Sequence, residues 1–237
     1  MSGPQKTILA VDDERDITEM LTLLLESEGY RVFTASGGAE ALGLLEKEPP
    51  DLILLDIMMP GVDGHQVCRA IRERSEFDAV PVLMLTAKND VVHIAQSVDE
   101  GADGFIVKPF EVEQLLRTLR LRLEGKTDAF YRSSKSDTTA KVGEDERIIF
   151  IDLLEPEDVF SVVMDACKGQ QHTLLSLWQE EVAERRLQTS ALVSVSSTAD
   201  FGDLLNCIFG VPEVRVLNCF IYRGMAEIPE EIRNRAQ

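Results

Sequence analysis

Four strings in the first half of the chain put reactive side chains at the ends of short apolar runs: VDDE at 11–14, LLD ending at Asp56, LTA at 85–87 and VKP at 107–109. Brought together, they would offer the carboxylates of Asp12, Asp13 and Asp56, the hydroxyl of Thr86 and the ammonium of Lys108. Crowded carboxylates repel one another, and a hard divalent cation such as magnesium is the simplest means of holding them ionised. A phosphoryl group can then pass onto one carboxylate. The cation and the ammonium would offset charge on the transferring oxygens while the hydroxyl donates to another. The product of that chemistry is an acyl phosphate on a carboxylate nucleophile.

Such a set converges only if the runs that precede it are parallel strands. The runs Thr7–Val11, Arg31–Ala35, Leu52–Asp56, Pro81–Thr86 and Phe105–Val107 are rich in β-branched and aliphatic residues. They alternate with helical patterns near Ile17–Ser27, Ala39–Lys47, Gly64–Arg74, Val91–Glu100 and Glu111–Leu123, the last with Leu115 and Leu119 one turn apart. Strand and helix in strict alternation predict an α/β class, a doubly wound (βα)5 sheet with crossover helices. In such sheets the active site lies beyond the carboxyl ends of the strands, where these five residues stand. Acidic loop residues are ordinarily only solvated, but a core has no reason to gather all five positions at one rim.

The strings VDDE, LLDIMMPGVDG, VLMLTAK and GADGFIVKPF, in this order and spacing, resemble the receiver domain of two-component response regulators over about residues 5–124. The resemblance implies that Asp56 accepts phosphate from a histidine kinase or histidine phosphotransfer protein and that Asp12 and Asp13 help to bind Mg2+. It also implies that the Met58 backbone carbonyl completes the metal site, that Thr86 and Lys108 contact the phosphoryl group, and that Lys108–Pro109 is a cis peptide. Phe105 falls at the position of the switch aromatic and, being Phe, carries no hydroxyl. A receiver that has lost phosphorylation typically lacks the acceptor or the metal acids, and none is lost here.

Other features have structural readings. Gly61 and Gly64 fit turn chemistry after Pro60, Gly101 fits a helix C-terminus, and Gly37 and Gly38 sit in no phosphate-cradling motif. His65 and His93 read as surface or packing histidines. Cys68, Cys167, Cys207 and Cys219 are far apart with no CxxC, which predicts reduced thiols and no zinc site. No run approaches the ~18 uncharged apolar residues of a membrane span, and a cytoplasmic protein is expected.

The 237 residues carry a formal charge of −18, a field that repels phosphate backbones and anionic membranes unless basic residues cluster. After a receiver domain at 1–124, the Ser/Thr/Lys-rich stretch 125–143 reads as a linker, and an acidic output module is expected at 144–237. That module has 8 Lys and Arg against 17 Asp and Glu and no convincing basic recognition helix. Its pattern predicts a strand in RIIFIDLLE, a helix after Pro156, a second helix near Leu174–Arg186 with Trp178 and Val182, and an alternating strand at Ser190–Ser196. A helix with Phe201, Leu204, Leu205 and Ile208 in phase and a strand at Glu213–Tyr222 complete it. The order is similar to small ferredoxin-like domains of the ACT type. No GGDEF-like, EAL-like, HExxH, P-loop or GxSxG string nominates an enzymatic output beyond the receiver's own phosphorylation and dephosphorylation.

The sequence therefore predicts a phosphorelay response regulator acting through its C-terminal module by contact with an unidentified downstream protein. Homodimerisation through the helix 4, strand 5, helix 5 face or the module itself is left open, and nucleic acid is disfavoured by charge. The alternative is a DNA-binding transcriptional regulator controlled by receiver phosphorylation.

Overall fold

The computed structural model describes residues 5–87, 90–124, 147–155, 173–183, 186–210, 215–222, 227–229 and 232. The expected linker at 125–143, the helix after Pro156 and Cys167 lie outside these residues. The chain divides into two compact units, one of residues 1–87 and 96–112 and one of residues 88–95 and 113–237.

In the first unit, β1 (Thr7–Val11), β2 (Arg31–Ala35), β3 (Leu52–Asp56), β4 (Val82–Ala87) and β5 (Gly104–Lys108) form a parallel sheet in the order β2-β1-β3-β4-β5. The α/β class and the five strands expected from the sequence are observed. Ile8 pairs with Val32 on one side and Leu52 on the other, and Asp56 pairs with Leu85. Residues Leu52–Leu55 and Val82–Leu85 are wholly buried on both faces, which is why these strands read as continuous apolar runs rather than alternating ones.

Helices α1 (Arg15–Ser27), α2 (Gly38–Leu45) and α3 (Gly64–Arg72) supply the crossovers, with Leu21 and Leu25 of α1 and Val67, Cys68 and Ile71 of α3 buried. The start of α3 is fixed by a capping box: the Asp63 carboxylate accepts from the Gln66 backbone N–H while the Gln66 side chain accepts from the Asp63 N–H. Because the strands are parallel, β1, β3, β4 and β5 deliver Asp12, Asp56, Thr86 and Lys108 to the same edge.

Two further helices follow, α4 (Val91–Asp99) and α5 (Val112–Glu124). The division of the chain falls within α4, after Ala95, and at the start of α5.

The second unit contains an antiparallel sheet of β6 (Arg147–Glu155), β7 (Thr173–Ala183), β8 (Arg186–Val195) and β9 (Arg215–Tyr222), in the order β9-β6-β8-β7. Phe150 of β6 pairs with Leu192 and Phe220, and its ring stacks on that of Phe220. The segment expected to be a helix at Leu174–Arg186 is instead the strand β7. Trp178 and Val182 are four apart, a spacing that shares a face both on a helix and on a strand of period two, so the pattern did not discriminate.

Helix α6 (Thr198–Phe209) is capped by the Ser197 hydroxyl, which accepts from the Asp200 N–H, and it buries Phe201, Leu204, Leu205 and Ile208 along one stripe. Within this unit Gln114 of α5 donates to the Val216 carbonyl, and the Arg122 guanidinium lies 5.9 Å from the Phe220 ring centre and 5.1 Å from that of Tyr222. Among the described residues no helix is long and apolar enough to cross a membrane, and Cys68, Cys207 and Cys219 are free thiols.

Candidate functional site

At the carboxyl edge of the parallel sheet Lys108 Nζ donates to Asp12 at 2.7 Å and to Asp56 at 2.5 Å. Two residues 44 positions apart in the sequence thus share one cation supplied by a third strand. The Asp12 side chain has no exposed surface and that of Asp56 only 9%. The other oxygen of Asp12 accepts from the Glu14 backbone N–H at 2.9 Å, which fixes the carboxylate where β1 gives way to α1.

Burial pushes the Asp56 carboxyl above its ordinary range, the bond and charge of Lys108 pull it down, the Asp12 charge raises it again, and a hydrogen bond from the Met58 backbone N–H opposes that. The net direction is upward. For Lys108, burial favours the neutral amine, but the two carboxylates together outweigh it and hold the ammonium above its usual value. The site is therefore a buried cluster with two carboxylates facing a single ammonium.

The loop after β3 returns tightly to this point. Gly64 N donates to the Ile57 carbonyl, and a Cβ at Gly64 would stand 2.2 Å from the Asp56 carbonyl oxygen. Only glycine permits that approach. Gly61, with φ near 80°, turns the chain before it. The turn expected at Gly64 is thus also a close backbone contact, which no signal in the sequence marks, since nothing in a lone glycine says which backbone it will touch.

Thr86 is buried at the end of β4, its hydroxyl making a long 3.4 Å contact with the Ala87 carbonyl. Phe105 is buried in β5, and the Lys108–Pro109 peptide is cis. Met58 is exposed, and Asp13 is exposed beside the buried Asp12. His65, expected at the surface or in packing, is buried against Glu100.

Among the described residues no three His, Cys, Asp or Glu side chains form a ready metal cage. Magnesium does not need one, because it is commonly held by one or two carboxylates with water and phosphate oxygens completing its shell. Two buried carboxylates with one ammonium leave an excess negative charge, and that donor set suits a divalent cation.

A family model of the response regulator receiver domain matches residues 8–120. Residues 8–120 are a response regulator receiver domain. Over 128 residues the chain is 41% identical to the DNA-binding response regulator MtrA of Mycobacterium tuberculosis, an alignment covering 54% of this chain and 55% of that protein. The MtrA of Mycolicibacterium smegmatis is 40% identical over the same length, with the same coverage. The chain thus spans about half the length of the curated relatives it matches. Among solved structures, the chemotaxis protein CheY4 of Vibrio cholerae is 38% identical, with 49% of this chain and 97% of that chain covered at a TM-score of 0.47. Receiver domains generally bind Mg2+ at the phosphorylation site, and the donor set at Asp12 and Asp56 fits that ion.

Proposed function

We propose that this chain is a phosphorelay response regulator whose Asp56 takes a phosphoryl group from the phosphoimidazole of a histidine kinase or histidine phosphotransfer protein. The observation that carries the reading is the Lys108 ammonium placed between the buried carboxylates of Asp12 and Asp56. An Asp56 oxygen attacks phosphorus, the O–P bond forms as the P–N bond breaks, and the departing imidazole takes up a proton. Asp12, Asp13, Asp56 and the Met58 carbonyl would hold Mg2+, which when bound offsets charge on the phosphoryl oxygens. Lys108 neutralises another of those oxygens, the Thr86 hydroxyl turns from its weak Ala87 contact to donate to a third, and Phe105, buried in the neighbouring strand β5, senses that movement.

Full-length protein incubated with acetyl phosphate and Mg2+ is expected to gain a phosphoryl group, seen as a mass increase that alkali removes and that chelation of the metal prevents. No mass increase under any divalent cation overturns the reading.

For the output, two readings divide the support. The relatives weigh toward a DNA-binding transcriptional regulator, because the MtrA proteins are named DNA-binding response regulators. The composition of residues 144–237, 8 Lys and Arg against 17 Asp and Glu, weighs toward contact with a protein partner in the cytoplasm. The strand order β9-β6-β8-β7 supports a ferredoxin-like module at 144–237 after a receiver at 1–124 and a linker at 125–143. Titrating the phosphorylated chain with a genomic duplex library separates the two. DNA binding predicts selective retention whose affinity falls about 10³-fold or more between 50 and 200 mM salt. The protein-contact reading predicts no retention even at the lower salt.

A further inference from the structure

Glu100 is an acid buried where no phosphoryl chemistry reaches it, its side chain only 5% exposed. It follows the last residue of α4, and three side chains converge on its carboxylate. His65 Nδ1 donates at 2.5 Å, Arg69 at 2.9 Å and Gln96 at 2.9 Å. His65 and Arg69 belong to α3, and Gln96 belongs to α4. The His65 side chain is itself 6% exposed, so the pair is closed off from solvent. A carboxylate beside the first turn of α3 is also favoured by the partial positive charge of that helix end.

The neighbouring contacts show that this is the upper end of a seam. Cys68 Sγ donates to the Glu100 carbonyl at 3.5 Å, Arg72 donates to the Gly101 carbonyl at 2.8 Å, and Arg72 pairs with Asp103 at 2.5 Å. Arg72 also donates to the carbonyls of Phe77 and Val80. From His65 to Arg72, α3 is stitched to the segment Glu100–Asp103. The His65 end differs in one respect: it adjoins Gly64, which rests on the backbone of Asp56.

We propose that His65 and Glu100 form a positioning link that carries the state of the phosphoacceptor loop to the C-terminal end of α4. A change at Asp56 presses on Gly64, against which no side chain can yield. His65, the next residue, moves with it and holds the Glu100 carboxylate, so the end of α4 follows. Severing the pair leaves the phosphoacceptor intact and disconnects α4. The same helix contributes its first residues, to Ala95, to the second unit. This link rests on the reading of Asp56 as the phosphoacceptor.

The test is amide hydrogen exchange on the full chain with Mg2+, with and without beryllium trifluoride as a stand-in for the phosphoryl group, read at residues 57–63 and at 96–101. In the wild type, beryllium trifluoride is expected to slow exchange at 57–63 and to change it about fivefold or more at 96–101, within the range of local opening equilibria. In His65→Leu the response at 57–63 persists and that at 96–101 falls below about twofold. His65→Gln, which keeps a donor for the carboxylate, restores it. If His65→Leu does not fold, Glu100→Gln removes the charge at nearly constant shape and is expected to weaken the distal response alone. A distal response of wild-type size in His65→Leu or Glu100→Gln overturns the link, and so does loss of the response at 57–63 in either variant. Absence of any response at 57–63 in the wild type is a different failure, that of the phosphoacceptor reading.

Discussion

Asp56→Asn is expected to abolish phosphoryl uptake from acetyl phosphate, to below about a hundredth of the wild-type rate, while leaving the protein folded and slightly more stable at neutral pH. The loss of uptake follows from chemistry: a carboxamide is not a nucleophile toward phosphorus and carries no charge to attract the metal. The gain in stability follows from the environment. Burial holds the Asp56 carboxyl above its ordinary value despite Lys108. A group raised in this way stabilises the fold most when protonated, and that contribution is lost as pH rises through its folded pKa.

The ionised form of Asp56 is the one that the fold disfavours, next to the like charge of Asp12. The amide removes that charge, keeps the shape and leaves Lys108 to Asp12 alone. Thermal unfolding should show a Tm a few degrees above wild type at neutral pH, with the difference shrinking as pH falls through the folded value of the wild-type carboxyl. Mass spectrometry of the treated variant supplies the first measurement and calorimetry across pH the second. Wild-type uptake in Asp56→Asn would remove the acceptor from this position.

Lys108→Met is expected to produce the larger energetic effect. Its ammonium is the cation shared by Asp12 and Asp56 in this structure. Methionine preserves much of the aliphatic stem but leaves two buried carboxylates facing each other, the situation in which breaking a buried ion pair costs about 3 kcal/mol or more. Without Lys108 the Asp56 carboxyl loses the bond and charge that pull it down and is held further above its ordinary value, so the variant should be most stable at acid pH and lose stability as pH rises through the folded value of Asp56.

In the wild type the opposite partner dominates at high pH. The Lys108 ammonium, held above its usual value, contributes fully below about pH 10 and ceases to do so as pH rises through its folded pKa. Millimolar Mg2+ should recover much of the lost stability in Lys108→Met, because a cation that binds the folded site alone stabilises it in proportion to the logarithm of its concentration. It should not recover normal phosphoryl transfer, for which the ammonium contacts a different oxygen. A variant as stable as wild type in the absence of metal, by denaturant unfolding at pH 7, would show that the two carboxylates do not depend on Lys108.

The legibility of this molecule differs between its two parts for a physical reason. A parallel sheet buried on both faces must be made of near-continuous apolar strands, and crossover connections force helices between them. Thr7–Val11 and Leu52–Asp56 are accordingly strands that the sequence marks out, whereas Arg31–Ala35 stands at the sheet edge and is largely not buried. The second unit is antiparallel, with shorter-range ambiguities. In β7 a four-residue spacing suits helix and strand alike, and only pairing with β8 over Thr173–Ala183 decides for the strand.

The alternation of strand and helix in residues 7–124 follows from the pattern of apolar runs and helical periodicity in the chain. The same pattern names the groups that parallel strands must deliver to one edge, Asp12, Asp56, Thr86 and Lys108, because strand direction alone dictates which end each occupies. Relations between residues far apart in the chain come from packing instead. Lys108 lies between Asp12 and Asp56 rather than beside one of them, Gly64 touches the Asp56 backbone, and Arg122 covers the rings of Phe220 and Tyr222. His65 finds its carboxylate 35 positions away at Glu100. Such contacts carry no local periodicity, and they exist only once burial has removed the water that would otherwise satisfy each group separately.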